Sequence, residues 1–333
     1  MKSSKINKLV ALVAAGMLAL TGCSAGSTQA LNSTEDVEEK VFKIGISQLT
    51  EHPALDDARR GFEDGLKELG VNAEIKFQSA QGDIPNTLAI AQNFVKDEMD
   101  LIFAIATPAA QSAKQATDQI PIIFSAVTDP VLAELVDSME APGKNITGTS
   151  DATPIDRQLQ LFKDLDENIN KVGIIYNTSE PNSQVQVEAA KELSKEIGLE
   201  IIEVGINSIN DIPQAADSII GKVDAIYTIT DNMVASAVNV VAEKALEKNM
   251  ITVAAEGSHL AGGILITDGI SYYEIGKQSA RMAKEILVDG KSPAEVPTET
   301  AENTSKVFNE DTLNALGLSI DNKAFEGAEK FEE

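Results

Sequence analysis

From Val41 onward the chain alternates short β-rich apolar runs with longer amphipathic stretches, and it completes this alternation twice. Strands are predicted at 42–48 (FKIGISQ), 73–79, 100–106, 121–127 and 145–149, then at 171–177, 200–206, 223–229, 251–255 and 262–267. Helical periodicity fills the intervals 53–69, 85–97, 108–118, 154–166, 182–197, 209–220, 233–248 and 273–288. Pro53, Pro85, Pro108 and Pro154 fall where a first helical turn needs no N–H, and Gly70 and Gly198 follow helix ends as left-handed residues. Repeated strand–helix–strand units impose right-handed crossovers and parallel sheets. Runs such as Ile102-Phe103-Ala104-Ile105 suit strands covered on both faces. The two series break near 148–154, and 333 residues exceed what one core commonly serves. The expected fold class is therefore α/β, with two doubly wound parallel-sheet lobes. Lobe 1 is expected at 41–150 plus about 272–292, and lobe 2 at 151–271 plus about 296–333, joined by a multi-strand hinge.

Residues 1–22 read as a removable export signal, with Lys2, Lys5 and Lys8 ahead of an apolar run from Leu9 to Leu20. Twelve apolar residues make a helix of roughly 18 Å, too short for a hydrocarbon layer of about 30 Å. Leu20-Thr21-Gly22-Cys23 resembles a bacterial lipobox, which implies that the Cys23 thiol takes a diacylglycerol and becomes the mature N-terminus. Two acyl chains suffice for stable anchoring. Residues 23–40 read as a flexible, charged tether. An extracytoplasmic protein, lipid-anchored to the bacterial cell membrane, is expected.

A formal charge of −25, made more negative by losing the signal, argues against a nucleic-acid partner. The single cysteine leaves no internal disulfide, and two histidines in no ligand array give no metal site. Gly290-Lys291-Ser292 mimics the end of a phosphate loop, but Glu285 stands where its first glycine belongs. Asp164, Asp166 and Asn168 have calcium-loop spacing, but Ile169 replaces the glycine, and a solvated helix end is expected. Neither a serine elbow nor a dinucleotide fingerprint is present, so neither cofactor nor catalytic residue is assigned.

In open parallel sheets a crevice forms beyond the carboxyl ends of the strands. The residues there are Gln48, Glu51 and His52, then Thr107 and Pro108, then Thr128 and Asp129. The second series offers Asp151; Asn177, Glu180, Asn182 and Ser183; Thr230, Asp231 and Asn232; Glu256; and Asp268. These hydroxyls, amides and acids, without bases, suit capture of a small zwitterion or neutral polar molecule. Ser, Thr, Asp and Asn after a strand are also what helix N-caps require, and that alternative stands beside each of them. Asp129, Asp151 and Asp231 are the sharpest candidates for contact, Tyr176 is a candidate apolar wall, and His259 is expected on a surface turn.

Segments 44–70 (IGISQLTEHPALDDARRGFEDGLKELG), 106–113 (ATPAAQSA), 124–131 (FSAVTDPV) and 145–159 (NITGTSDATPIDRQL) resemble substrate-binding lipoproteins of ABC importers. They are most similar to the tryptophan/tyrosine-type family, labelled an uncharacterised ABC-type transport system periplasmic component. Segments 176–184, 230–237 and 269–287 agree, so the resemblance spans about 42–320. It implies a type I periplasmic-binding-protein fold, a monomer that closes on a small ligand and delivers it to permease and ATPase subunits. By matching segment it implicates Thr107-Pro108, Thr128-Asp129, Asp151, the loop 177–183, residues 230–232 and Asp268. The cargo it implies is an amino acid, aromatic in the members studied for ligand. Alternatives are a nucleoside or another small metabolite, a sensing or adhesive lipoprotein without transport, and a hydrolase using paired carboxyls in the cleft.

Overall fold

The computed structural model describes residues 40–332; the signal, Cys23 and the tether up to residue 39 lie outside the described residues. The first series comprises β1 (Phe42–Gln48), α1 (Pro53–Glu68), β2 (Ala73–Ser79), α2 (Ile84–Lys96), β3 (Leu101–Ile105), α3 (Thr107–Ala116), β4 (Ile122–Val127) and β5 (Ile146–Ser150). The second comprises α4 (Ile155–Leu165), β6 (Lys171–Asn177), α5 (Pro181–Ser194), β7 (Glu200–Ile206), α6 (Ile212–Ile220), β8 (Ala225–Thr228), α7 (Asn232–Ala235), α8 (Val238–Leu246), β9 (Ile251–Glu256) and β10 (Ile266–Ile270). The chain ends with α9 (Tyr272–Leu287), β11 (Glu299–Thr300), β12 (Ser305–Phe308), α10 (Glu310–Ala315) and β13 (Glu329–Lys330).

Among the described residues two sheets form, in the orders β11-β5-β4-β3-β1-β2 and β13-β12-β10-β9-β8-β6-β7. The first is parallel throughout, whereas the second admits β12 antiparallel to β10. The period of two sorts β3 between two cores: Leu101, Phe103 and Ile105 join the α1/α9 side, and Ile102 and Ala104 the α2/α3 side. Phe62 stacks on Phe103 with centroids 3.9 Å apart. Strand β6 divides likewise, Val172 and Ile174 facing one core and Ile175 the other.

The chain passes between the sheets after β5, after β10 and after β11. Helix α9 returns from the second sheet to lie against α1, where glycines permit close approach. A Cβ on Gly61 would meet the Tyr273 carbonyl oxygen at 2.0 Å, and one on Gly276 the Ala58 carbonyl oxygen at 2.2 Å. On the opposite side of the first crossing, buried Gln158 of α4 donates to the carbonyls of Ala255 (2.9 Å) and Asp268 (2.7 Å) and accepts from the Tyr227 hydroxyl. It ties α4 to three strands of the second sheet at once.

Several expectations need correction. Pro154 is the N-cap of α4 rather than a first-turn residue. The strand expected at 262–267 begins at Ile266, because Gly257–Gly262 forms 3₁₀ turns that end on left-handed Gly263. The helix expected at 233–248 is broken into α7 and α8. The return to the second sheet comes after Thr300, not near 296, since β11 pairs with β5 and Val296 belongs to the first core.

Candidate functional site

Strand order reverses between β1 and β3 in the first sheet and between β6 and β8 in the second. Crevices open at such points, beyond the strands' carboxyl ends. There the structure leaves buried polar atoms without partners: Ser47 Oγ, Gln48 Oε1, His52 Nδ1 and Thr107 Oγ1 on the first sheet's side. On the second sheet's side are Asn182 Oδ1 and Thr230 Oγ1, with Asp151 Oδ1 at the first crossing, while His259 Nε2 lies 3.1 Å from Glu256 Oε1. A native interior satisfies nearly all such groups. Their concentration at two facing switch points marks a candidate site.

The electrostatics point the same way. Asp151, Glu180, Asp231 and Glu256 are all buried, and no lysine or arginine is buried with them among the described residues. Desolvation pushes each carboxyl above its ordinary range, and Glu180, further opposed by the charge of Asp231, rises to about 7. Burial drives both histidines toward neutrality, His259 down to about 4. Folded Glu180 thus binds its proton more tightly than the unfolded chain, whose value is near 4.5. Stability linked to it is greatest at low pH and is lost as pH rises from about 4.5 through about 7. Melting temperatures of the ligand-free protein are expected to rise between about pH 8 and 6.5, below which the buried histidines act in the opposite sense. Glu180→Gln should flatten that rise; an unaltered slope would place its origin elsewhere.

Two contacts join the sides directly: His52 Nε2 lies 3.2 Å from Asn232 Oδ1, and Gln186 Nε2 lies 3.5 Å from Thr128 Oγ1. Beside the first, a cavity of about 370 Å³ opens between the lobes, with Leu49, Ile84, Ile209 and Met233 as apolar walls and Glu51, Asn177, Glu180 and Asn232 among its polar ones. A second cavity of about 410 Å³ lies against α1 and α9. Its two cations are already paired, Lys277 with Glu68 at 2.7 Å and Arg281 with Glu302 at 2.8 Å, and it holds none of the unpartnered atoms.

The residues singled out by sequence divide into two groups. Gln48, Thr107, Asp151, Asn182 and Thr230 each keep a buried unpartnered oxygen, while Asn177 and Asn232 hold Glu180 through their side-chain amides. Glu51 is exposed, accepting from Gln81, and Pro108 is buried in the first turn of α3. The others are consumed by the chain itself. Asp129 accepts from the N–H groups of Val131 and Leu132, as a turn residue does. Asp231 caps α7 and also accepts from Asn177 N–H and from Ser183 Oγ–H, which occupies Ser183 as well. Asp268 is held by Arg157 at 3.2 Å, and Tyr176 packs against the second core.

Sequence reasoning placed His52 at a strand tip without singling it out for contact, and it missed Ser47, His259 and Tyr272. His259, expected on the surface, is 1 % exposed and bonds Thr228 Oγ1 through Nδ1 at 2.9 Å. Tyr272 donates to Asp151 Oδ2 at 2.7 Å from the second crossing. One signal was available for His52: it stands at the N-cap of α1 yet makes no capping bond, where Ser or Asp would be the local choice.

Residues 43–331 match the family model of ABC transporter substrate binding proteins. The chain belongs to that family. This substrate-binding protein is 44% identical over 330 residues to a tyrosine-binding protein of Clostridioides difficile, covering 96% of this chain and 95% of that one. It superposes with a TM-score of 0.82 on an ABC domain from Streptococcus pneumonia in complex with L-Trp, at 32% identity, covering 86% of this chain and 99% of that one. Against the ligand-free, open structure of a substrate-binding protein with adhesive properties from Clostridium difficile, 43% identical and covering 87% and 99%, the TM-score is 0.68. The more similar sequence superposes less well, in keeping with lobes that here meet through His52 and Asn232. The two-lobed periplasmic-binding-protein fold is shared, and the relatives are binding proteins of ABC systems, which implies a small-molecule ligand and a permease partner.

Proposed function

We propose that this protein captures an aromatic L-amino acid between its lobes and delivers it to its permease. The observation that carries the reading is the set of unpartnered buried atoms facing one another around an excess of carboxyls. Asp151 Oδ1 receives the α-ammonium at the hinge end, where the buried acids lack a cation. Thr107 Oγ1 and the first N–H groups of the ten-residue helix α3 take the α-carboxylate. The aromatic ring lies toward the apolar walls of the interlobe cavity, whose size suits it. Names of the relatives support the cargo, since one binds tyrosine and another is solved with L-Trp.

Every group comes from one chain, so a monomer suffices. Lobe 1 then comprises 40–150 with 272–300, and lobe 2 comprises 151–270 with 305–332, closing about the three crossings on ligand. Export by residues 1–22 and acylation at Cys23 would hold the receptor beside its permease on the outer face of the cell membrane.

Calorimetric titration of the ligand-free protein with L-tyrosine, L-tryptophan and L-phenylalanine, beside leucine, a nucleoside and a hexose, tests the cargo. Tyrosine or tryptophan at 100 times its Kd should stabilise the fold by about 2.7 kcal/mol. Heat from the nucleoside or hexose with none from any aromatic acid would sink the reading.

A further inference from the structure

We propose that His52 selects the ligand by a hydrogen-bond donor on its side chain, accepting that donor at Nδ1 while its Nε2–H latches the lobes together through Asn232 Oδ1. The argument begins at Asn232. Its Nδ2 donates to Glu180 Oε2, and Glu180 is surrounded by amide donors from Asn177 and Asn182 as well, so the Asn232 oxygen is the atom turned to His52. An oxygen facing Nε2 at 3.2 Å requires the proton on Nε2. Burial keeps the ring neutral, and Nδ1 is therefore a bare acceptor. It has no partner although His52 is only 6% exposed. A buried acceptor left empty costs free energy that a ligand donor recovers.

Which donor it meets follows from the two ends of the site. Asp151 is tied to Tyr272, and these two residues stand at the first and second crossings, so the ammonium end belongs at the hinge. His52 is tied to Asn232, a wall of the interlobe cavity that supplies the apolar lining. On this reading Nδ1 meets the end of the bound molecule far from the ammonium, where a phenol O–H or an indole N–H would lie. Phenylalanine offers neither. A site built to bond such a group rejects the analogue that lacks it, because the protein atom is then left buried and unpaired.

This inference rests on the aromatic amino acid reading, and the test separates the two. Titrations of the wild type with tyrosine, phenylalanine and O-methyltyrosine, which keeps the oxygen but loses its proton, are expected to favour tyrosine by at least about a hundredfold over both. His52→Gln keeps a donor at the ε position but no acceptor at δ, and should bring tyrosine and phenylalanine within about fivefold of each other. His52→Asn keeps the δ acceptor without the latch, and should weaken both by about tenfold while preserving their ratio. Equal affinity of the wild type for tyrosine and O-methyltyrosine, or an unchanged ratio in His52→Gln, overturns the role of His52 and leaves the cargo class standing. Absence of binding to any aromatic amino acid by the wild type overturns both.

Discussion

Replacing Asp151 by Asn is expected to raise the Kd for an amino acid by about thirty- to several thousand-fold while leaving the empty protein as stable as before, or more so. The carboxylate is 3% exposed, its Oδ1 has no hydrogen-bond partner among the described residues, and its Oδ2 accepts from Tyr272. A buried charge whose counter-ion arrives with the ligand loses about 2–5 kcal/mol of binding when one member is removed. Without ligand the balance reverses. Burial holds the Asp151 carboxyl above its ordinary range, so at neutral pH its ionised form opposes folding. Asn retains an oxygen for Tyr272 without that cost. Calorimetric Kd and melting temperature, measured together, read both halves; a fall in melting temperature with unaltered Kd would make Asp151 a structural residue.

Gly276→Val is expected to destabilise the protein by about 3 kcal/mol, the upper end of ordinary overpacking. The first added carbon would lie 2.2 Å from the Ala58 carbonyl oxygen and 2.9 Å from the Phe62 nitrogen, both main-chain atoms of α1 that have no rotamer to retreat into. Gly61 repeats the constraint from the other helix, 2.0 Å from the Tyr273 oxygen. In a protein of this size the loss should lower the melting temperature by roughly 6–12 °C. Gly276→Ala should also be destabilising, since its only new atom is the clashing one. A wild-type melting temperature for Gly276→Ala would show that α1 and α9 separate freely.

The alternation of apolar strands with amphipathic helices located β1 to β9 closely: strands buried on both faces, such as β3 and β4, leave dense apolar runs, and the half-exposed edge strands β2 and β7 follow from their place between two helical patterns. Beyond β9 that guide failed. Strands β11 and β13 are two residues each, too short to carry a period, and they exist through pairing with β5 and β12. The candidate site was legible only to the level of strand tips. Asp151 and Asp231 look alike in sequence, yet one keeps a free oxygen and the other is spent on Asn177, Ser183 and Val234. A side chain that caps a helix and one that awaits a ligand differ by orientation alone, which local pattern does not encode. Tyr272 and His259 were illegible for a different reason: each reaches the site through a crossing or a turn whose path depends on the tertiary fold.

The late return of α9 to α1 sets the order of assembly. Tyr273 and Asp64, which meet across that contact, stand 209 residues apart along the chain. The sheet face that α1 and α9 share is not fully covered until the polypeptide beyond β10 has been made, and closing so long a loop is slow. A nascent copy therefore stays unfinished through most of its synthesis, the condition in which a chain can still be threaded through a narrow channel.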